Sequence, residues 1–329
     1  MSALPVARRV RDALVLIWLV VSLVFVLVRL APGDPATMLV PPNASPTDVA
    51  QLRQQFGLDA PWPVQYARWL GDVLTGDLGE SFASHEPVTQ VLARAAPISL
   101  GLGAMSLALT FLIGVPIGMV QGARRGTAVD RALTVATTAV FAMPSFWIAL
   151  ALVAVFTYGA SLLGFPEWLR LPAFGLHTPG AELSGWAAAR DLVRHAVLPV
   201  SILAAIGAAG IARYARNSVA DVMRLDFVRT ARAKGAAPSR VFGRHVLRNV
   251  LPPLIVLLAL SLPGLVAGSV FVEAVFAWPG MGTAMLTAIA SRDYPVVMAC
   301  AMLYAGVVIA ANLAADLALT LLDPRRAAP

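Results

Sequence analysis

Residues that could perform chemistry are few in this chain and widely spaced. Nucleotide hydrolysis through a P-loop needs the pattern G-x-x-x-x-G-K-[ST], because its lysine neutralises the β- and γ-phosphates. The single lysine, Lys234, lies between Ala233 and Gly235, so this route to ATP hydrolysis is excluded. The H-E-x-x-H and G-x-S-x-G signatures of metal-dependent and serine hydrolases are also absent from the sequence. We therefore predict no catalytic residues and no cofactor bound by this chain.

Histidine is the commonest side chain at transition-metal sites, but the four histidines here are scattered. They are His85, His177, His195 and His245. A zinc site needs several ligands at compatible spacing, and this spacing does not provide one. We predict no metal site and interpret each histidine as a loop or interfacial residue.

The most informative polar segment begins at Asp226. Asp226 suits a helix N-cap and Gly235 suits the C′ position, which predicts a helix of about two turns. Pro238 suits the first turn of a second helix that continues to about Asn249. One face of that helix would carry three cations at i, i+4 and i+8, namely Arg240, Arg244 and Arg248. Val241, Phe242, His245 and Val246 would form the other face. The basic face would suit lipid phosphates or an acidic partner, and an ordinary basic loop is the alternative interpretation.

The composition places most of the chain in a membrane. Of its 329 residues, 58% are hydrophobic and 13% are charged, and the mean hydropathy is +0.76. A soluble domain of this size carries about 25% charged residues. The net charge of +7 could suggest a nucleic acid partner, but the arginines lie in short segments between apolar runs. We interpret them as signals of membrane orientation and predict no nucleic acid binding.

Six apolar stretches are long enough to cross a bilayer, which takes about 20 residues. They cover residues 10–30, 97–121, 132–158, 196–212, 249–272 and 294–321. Runs of this length without alternating polarity must be helices, because barrel strands are shorter and alternate. The sequence therefore predicts an all-α integral membrane protein with about six transmembrane helices. The first stretch lacks an A-x-A-like site after it, which favours an uncleaved signal-anchor.

The charge distribution predicts the topology. Six spans put both termini on one side, and Lys and Arg concentrate in the segments on that side. By the positive-inside rule both termini and the segment 213–249 are cytoplasmic. The predicted organisation is an N-terminus with the first span (1–31), an extracytoplasmic segment (32–96), a five-helix core (97–322) with a cytoplasmic loop at 213–249, and a cytoplasmic tail (323–329).

Small residues and prolines mark candidate packing and gating positions. Two consecutive G-x-x-x-G units lie on the second span and another lies on the fifth, and such faces let helices approach closely. Their members are Gly114, Gly118 and Gly122, then Gly264 and Gly268. These faces could serve static packing within the subunit, sliding surfaces or a subunit interface. Pro144 and Pro263 are predicted to kink their spans, and backbone freed there is a candidate lining for a pathway.

The end of the fifth span carries a second candidate region. Glu273 and the run Trp278-Pro279-Gly280 are predicted to shape an outer gate or a docking surface. For Glu273 alone, capping the helix end or pairing with Arg292 is the alternative role. Trp278, like three other tryptophans at span borders, suits anchoring at the membrane interface. The other three are Trp62, Trp168 and Trp186.

Seven short motifs in order resemble one known family. The first motif consists of D-F-V-R-T-A-R-A-K-G from Asp226 followed by R-H-V-L-R-N-V-L-P-P from Arg244, and it resembles the cytoplasmic motif of permease subunits of binding-protein-dependent ABC importers. The variant is that of the dipeptide/oligopeptide/nickel branch. The remaining matches begin at Leu30, Gly76, Pro144, Trp278, Arg292 and Leu322. The general importer motif has Glu-Ala-Ala where this chain has Arg229-Thr230-Ala231, so a contact made by that glutamate does not carry over.

The resemblance implies a fold, partners and a mechanism. It implies the type I ABC importer permease fold in a bacterial inner membrane. The segment Phe227 to Lys234 would be a coupling helix seated in a separate ATPase subunit, which binds ATP and Mg²⁺. Its implied residues are Asp226, Phe227, Val228, Arg229, Thr230, Ala231, Arg232, Ala233, Lys234 and Gly235. Two ATPases, a second homologous permease and an extracytoplasmic solute-binding protein would complete the importer.

The substrate implied by the resemblance is a di- or oligopeptide. Nickel or another small solute is the first alternative, although the apolar spans show no cluster of nickel-type ligands. An ion-coupled secondary transporter is the second alternative, and it would need a carboxylate near the middle of a span, where the sequence has none. A membrane-embedded enzyme would need paired catalytic side chains at one depth. The sequence leaves open the solute and the choice between homodimer and heterodimer.

Overall fold

The computed structural model describes residues 3–40, 45–262, 264 and 270–322, and most of the described residues in the long apolar stretches are helical. Its helices are α1 (Ala3–Leu30), α2 (Pro35–Leu39), α3 (Pro46–Gln55), α4 (Trp62–Leu74), α5 (Val88–Ala123), α6 (Ala128–Ala142), α7 (Ser145–Tyr158), α8 (Gly185–Val222), α9 (Asp226–Ala233), α10 (Pro238–Ser261), α11 (Val270–Val275), α12 (Met281–Ala290) and α13 (Tyr294–Leu322). The described residues hold no β-strand, only an isolated bridge between Glu80 and Pro87.

Five of these helices are long and apolar enough to cross a membrane, and the bent pair α6–α7 makes a sixth span. The prediction of an all-α fold with about six spans is therefore confirmed. Two spans are longer than predicted, since α5 covers 36 residues and α8 covers 38. Helix α10 is one continuous helix of 24 residues that begins at Pro238, before the predicted start of the fifth span. The separate amphipathic helix predicted to end near Asn249 thus continues directly into the fifth span.

The third span is broken rather than kinked. Helices α6 and α7 meet at an angle of 99°. Met143 is extended (φ −78°, ψ 136°), and Pro144 is the N-cap of α7. Proline disfavours helical backbone in the residue before it and cannot donate to the preceding turn, so the break falls at this dipeptide. Pro263, the other predicted kink, lies outside the described residues.

The chain divides into two compact units, the first comprising Met1–Ser99 and Pro279–Ile309. Its largest apolar cluster joins α5, α12 and α13 through Val88, Leu92, Met281, Val296 and Cys300. Short helices α2 to α4 follow α1. Helix α3 begins with a capping box in which Ser45 and Asp48 bond each other's backbone N–H groups. Hydrogen bonding to Ser45, first to its side chain and then to its backbone N–H, lowers the pKa of the exposed Asp48 carboxyl.

Two of the recognised motifs meet in the first unit. The Asp293 carboxylate accepts hydrogen bonds from Ser81 Oγ (2.5 Å) and from the backbone N–H of Phe82 (3.1 Å). Asp293 is buried, so these bonds fix the loop after Gly79. The Arg29 guanidinium lies 4.5 Å from the centre of the Tyr294 ring. The sequence identified both motifs but did not predict that they contact each other.

The second unit comprises Leu100–Trp278 and Ala310–Pro329. The G-x-x-x-G face of α5 lies directly against α8 in this unit. A Cβ added to Gly114 would lie 2.8 Å from the carbonyl oxygen of Ala208, and one added to Gly122 would lie 2.7 Å from that of Arg216. A Cβ on Gly118 would overlap the carbonyl oxygen of Ala212. The structure therefore uses this face for packing within the subunit. Gly264 is described with open space around it, and Gly268 lies outside the described residues.

A buried ion pair fixes α6 to α8 in the same unit. Arg216 donates two hydrogen bonds to Asp130, from Nε to Oδ1 (2.7 Å) and from Nη2 to Oδ2 (2.8 Å). Asp130 also accepts a bond from the backbone N–H of Gly126 (2.9 Å). Such bidentate pairs are geometrically specific. Helices α5, α6 and α8 are thus held together by a close backbone contact and a charge pair.

Candidate functional site

Helix α9 stands where the coupling helix is predicted, with its start shifted by one residue. Leu225 is the N-cap, with extended backbone (φ −68°, ψ 148°) and no side-chain capping bond. The prediction of Asp226 as N-cap is wrong, because Asp226 already has helical backbone as the first residue of α9. Its carboxylate lies in the first turn, where negative charge complements the helix dipole.

The end of α9 is a Schellman motif that requires glycine. Gly235 has φ +76°, its N–H bonds the Arg232 carbonyl (2.9 Å), and the N–H of Ala236 bonds the Ala231 carbonyl (3.2 Å). This pair of bonds defines the motif, and a residue with a Cβ pays a steric penalty in that conformation. The predicted C′ role of Gly235 is confirmed.

A single apolar side chain anchors α9. Val228 is completely buried, and Ala231 is partly buried beside it. The other side chains of the predicted coupling segment are exposed, namely Asp226, Phe227, Arg229, Thr230, Arg232, Ala233 and Lys234. An eight-residue helix has little stability alone, so its position depends on the surface beneath it. The helix therefore exposes all but one narrow face.

The surface beneath α9 is built from two spans. Val228 belongs to an apolar cluster with Ala215 and Val219 of α8. The α10 side contributes Val241, Val246, Val250 and Leu254. Because α9 rests on both helices at once, a displacement of α9 would act on the ends of two membrane spans.

A π-helical turn at Val241–Val246 aligns α10 with this surface. Val241 and Val246 are both buried although they are five residues apart. In an α-helix the buried positions would recur at three or four residues, so the wider turn brings both valines to one face. The sequence predicted the apolar face but did not predict the π turn. Arg240, Arg244 and Arg248 are exposed, as predicted.

The exposed surface around α9 is strongly basic. Arg229, Arg232 and Lys234 project from the helix, and the three exposed arginines of α10 follow it in sequence. Asp226 contacts Arg229 at 3.4 Å, but both side chains are largely solvent-exposed, so this pair contributes little stability. A basic surface of this kind attracts acidic partners or anionic headgroups. The helix offers shape and charge for docking, and no catalytic arrangement.

The predicted gate residues are largely buried. Glu273 is completely buried, Trp278 is 2% exposed and Gly280 is buried, while Pro279 is exposed. The interpretation of Trp278 as an interfacial surface anchor is therefore wrong. Ala277 adopts φ +50° and the N–H of Trp278 bonds the Glu273 carbonyl (2.9 Å). This helix-ending turn folds Trp278 back toward α11.

The other three border tryptophans are exposed, as interfacial anchoring requires. Trp62, Trp168 and Trp186 expose 46%, 71% and 84% of their surface. Their positions agree with a belt at the membrane border.

One histidine differs from its predicted setting. His195 is buried within α8 rather than lying at a border, and its Nδ1 lies 2.9 Å from the Asp191 carbonyl oxygen. The Asp191 carboxylate accepts from the Thr178 hydroxyl (2.7 Å) and lies 3.2 Å from His177 Nδ1. The cluster fastens the loop before α8 to that helix. In the part of the chain that the structure describes, no group of three or more His, Cys, Asp or Glu side chains could hold a metal.

Comparison with solved structures supports the fold. One inward-facing structure of the methionine ABC transporter MetNI aligns with a TM-score of 0.52 at 18% identity, covering 71% of this chain and 97% of that one. An amino acid ABC transporter aligns with a TM-score of 0.51 at 11% identity, covering 71% and 94%. These similarities show the permease fold.

Curated relatives match nearly the whole chain. The oligopeptide transport system permease protein AppB of Bacillus subtilis is 35% identical over 326 residues, covering 99% of each chain. A putative peptide permease protein of Brucella suis is 37% identical over 306 residues, covering 92% of each. A probable peptide ABC transporter permease protein of Sinorhizobium fredii is 34% identical over 320 residues, covering 97% of this chain and 98% of the relative.

Two family models account for most of the sequence. The N-terminal model of the binding-protein-dependent transport system membrane component matches residues 4–103. The model described as binding-protein-dependent transport system inner membrane component matches residues 114–328 and so includes α9 and its supporting spans. The chain, a multi-pass membrane protein with an exposed helix between its α8 and α10 spans, therefore belongs to the family of inner-membrane permease components of binding-protein-dependent transport systems.

Proposed function

We propose that the chain is a permease subunit of an ATP-driven importer of di- and oligopeptides. Three relatives aligned over more than nine-tenths of this chain have peptide or oligopeptide permease in their names. Membership in a binding-protein-dependent family also favours an external energy source over the ion-coupled alternative.

The observation that carries the proposal is the exposed helix α9 resting on two spans. Val228 is its one fully buried side chain, Ala231 packs partly buried beside it, and its polar and cationic side chains face outward. In the proposed mechanism α9 sits in a cleft of a separate ATPase subunit that binds ATP and Mg²⁺. Closure of two ATPases pushes α9 and rotates the attached spans between inward- and outward-open states, a rigid-body change. The chain itself performs no hydrolysis in this scheme.

In the proposed assembly this subunit contacts the lipid bilayer, an ATPase subunit, a second permease, the solute-binding protein and the transported peptide. Each chain supplies one α9, so two ATPases require two permease chains. We assign the second to a homologous permease. The binding protein would dock on the extracytoplasmic side, which the charge distribution places at residues 32–96. Both termini and α9 would then lie in the cytoplasm, with the core 97–322 crossing the membrane.

Reconstitution tests the proposal. The chain is co-expressed with its neighbouring genes, purified, and assayed in proteoliposomes for ATP-dependent uptake of labelled peptide with loaded binding protein. Gly235→Val should abolish uptake and leave membrane insertion intact, because a β-branched residue is strained at φ +76° and would displace the end of α9.

The matched control is Gly180→Val, since Gly180 has φ +75° and is likewise surrounded by open space but lies in another loop. It should insert and transport normally. Normal uptake by Gly235→Val would remove the coupling role from α9. Uptake driven by a proton gradient without ATP would replace the importer assignment altogether.

A further inference from the structure

A cavity of about 410 Å³ lies within the second unit, between α5, α7, α8 and the end of α10. Four hydroxyl side chains line it: Ser106, Thr110, Ser145 and Ser261. Apolar side chains such as Leu203 and Ile206 make up most of the remaining wall. Among the described residues that line the cavity none is charged. The cavity is thus neutral, with polarity supplied by hydroxyl groups alone.

The cavity lies near the middle of the membrane. Thr110 is at the centre of the uncharged stretch of α5, which runs from Ala95 to Ala123. Ile206 is close to the centre of the uncharged stretch of α8, between His195 and Arg213. Because charged residues at span ends lie toward the headgroups, the centres of two such stretches lie near the bilayer midplane. The α6–α7 break places Ser145 at the same cavity.

The hydroxyl hydrogens are already used inside the protein. Ser106 Oγ donates to the Leu102 carbonyl (2.7 Å), and Ser261 Oγ donates to the Leu257 carbonyl (2.7 Å). Thr110 Oγ1 donates to the Ala204 carbonyl at the longer distance of 3.4 Å. A hydroxyl has one hydrogen and two lone pairs, so these three groups keep acceptor capacity. The cavity therefore offers acceptors for N–H groups.

We propose that this cavity is a station on the translocation path that accepts main-chain N–H groups of the peptide in transit. The inference rests on the proposed function and adds a recognition chemistry to it. A peptide N–H that crosses an apolar wall without an acceptor is strongly disfavoured. The hydroxyl lone pairs relieve that cost in every peptide, whatever its side chains. The described lining offers no cationic side chain to pair with a carboxylate of the substrate. The cavity therefore favours the neutral peptide unit over anionic groups.

The test compares two substrates that differ by one N–H. Single-turnover uptake is measured in proteoliposomes that hold the complete importer. The two substrates are trialanine and trialanine methylated on the amide nitrogen of its second residue. Both are supplied at saturating loaded binding protein. The wild type should transport trialanine about 2- to 10-fold faster, the factor that one net hydrogen bond provides.

Variants assign that difference to the cavity. Thr110→Val combined with Ser106→Ala removes two acceptors and should bring the rate ratio close to one, while Thr110→Ser keeps the hydroxyl and the ratio. Since the binding protein is the same throughout, a change in ratio between permease variants belongs to the permease. If the double variant does not assemble, Ser261→Ala, at a half-buried position, provides the same comparison.

Two results would overturn the proposal that this cavity accepts peptide N–H groups during translocation. One is a wild-type ratio of one, and the other is an unchanged ratio in variants that lack the hydroxyls. Either result leaves ATP-dependent uptake, and hence the proposed function, standing. Absence of ATP-dependent trialanine uptake by the wild type would instead count against the proposed function itself.

Discussion

Removing the anchor of α9 should release the helix without unfolding the protein. Val228 has no exposed surface and packs among Ala215, Val219, Val241 and Val246. The substitution Val228→Ala deletes two methyl groups from this site. At about 0.8 kcal/mol per buried CH₂, and with the cavity left behind, the cost is about 2–3 kcal/mol.

The cost falls on α9 itself, because an eight-residue helix does not persist once its contact is weakened. Each 1.4 kcal/mol is a factor of ten, so the detached population should rise by roughly 30- to 150-fold. The rate of tryptic cleavage within α9 measures the detached population, because trypsin cleaves a locally opened segment at a rate set by the open fraction. Arg229, Arg232 and Lys234 supply the cleavage sites.

The assay uses the purified chain and follows cleavage between Asp226 and Gly235 by mass spectrometry. Thr230→Ala is the matched control: it also removes two heavy atoms beyond Cβ from α9, but Thr230 is exposed, so the rate should change by less than about threefold. Equal cleavage rates for wild type and Val228→Ala would refute the argument that this one side chain holds α9 in place.

Three further substitutions test the packing of the two units. Gly118→Ala should lower the melting temperature by several degrees, at a cost of about 1–3 kcal/mol, because its Cβ would overlap a backbone carbonyl of α8; Gly101→Ala, on the same helix with open space, should not lower it. Asp130→Asn should destabilise the folded chain by about 1–3 kcal/mol, because Arg216 loses its carboxylate partner. Adding Arg216→Met should recover part of this stability. A double variant with no recovery would show that the two residues are not coupled. Asp293→Asn should speed hydrogen exchange in residues 81–83, by weakening bonds worth about 1–3 kcal/mol; unchanged exchange would contradict its role in fixing that loop.

The sequence predicted features that depend on local chemistry. Apolar length identified the spans, the glycine after Lys234 identified the end of α9, and the G-x-x-x-G spacing identified a close-packing face. Each of these signals has a direct physical cause in lipid, in the left-handed backbone or in the approach of two helices. The structure shows that α8 packs against the G-x-x-x-G face of α5. The spacing of the glycines alone does not identify the helix that packs there.

Features that depend on three-dimensional neighbours were missed. The π turn at Val241–Val246 satisfies the contact with α9, and no residue type in it specifies a π turn. Trp278 is buried after a turn in which Ala277 takes the left-handed conformation, and the sequence signal for such a turn, a glycine, is absent at that position. The break at Pro144 was predicted as a kink, and the residue types at the dipeptide do not specify its angle of 99°. In each case tertiary contacts decided between local options.

Photo-cross-linking at α9 tests the central claim most directly. A benzophenone side chain replaces Phe227, which is exposed on α9, and a second version replaces Leu162, which is 89% exposed in the segment between α7 and α8. The complete importer is assembled with each chain, irradiated, and resolved by mass. The account predicts an adduct of this chain with an ATPase subunit from position 227 and none from position 162. An assembled, transporting complex that gives no ATPase adduct from position 227 would contradict it.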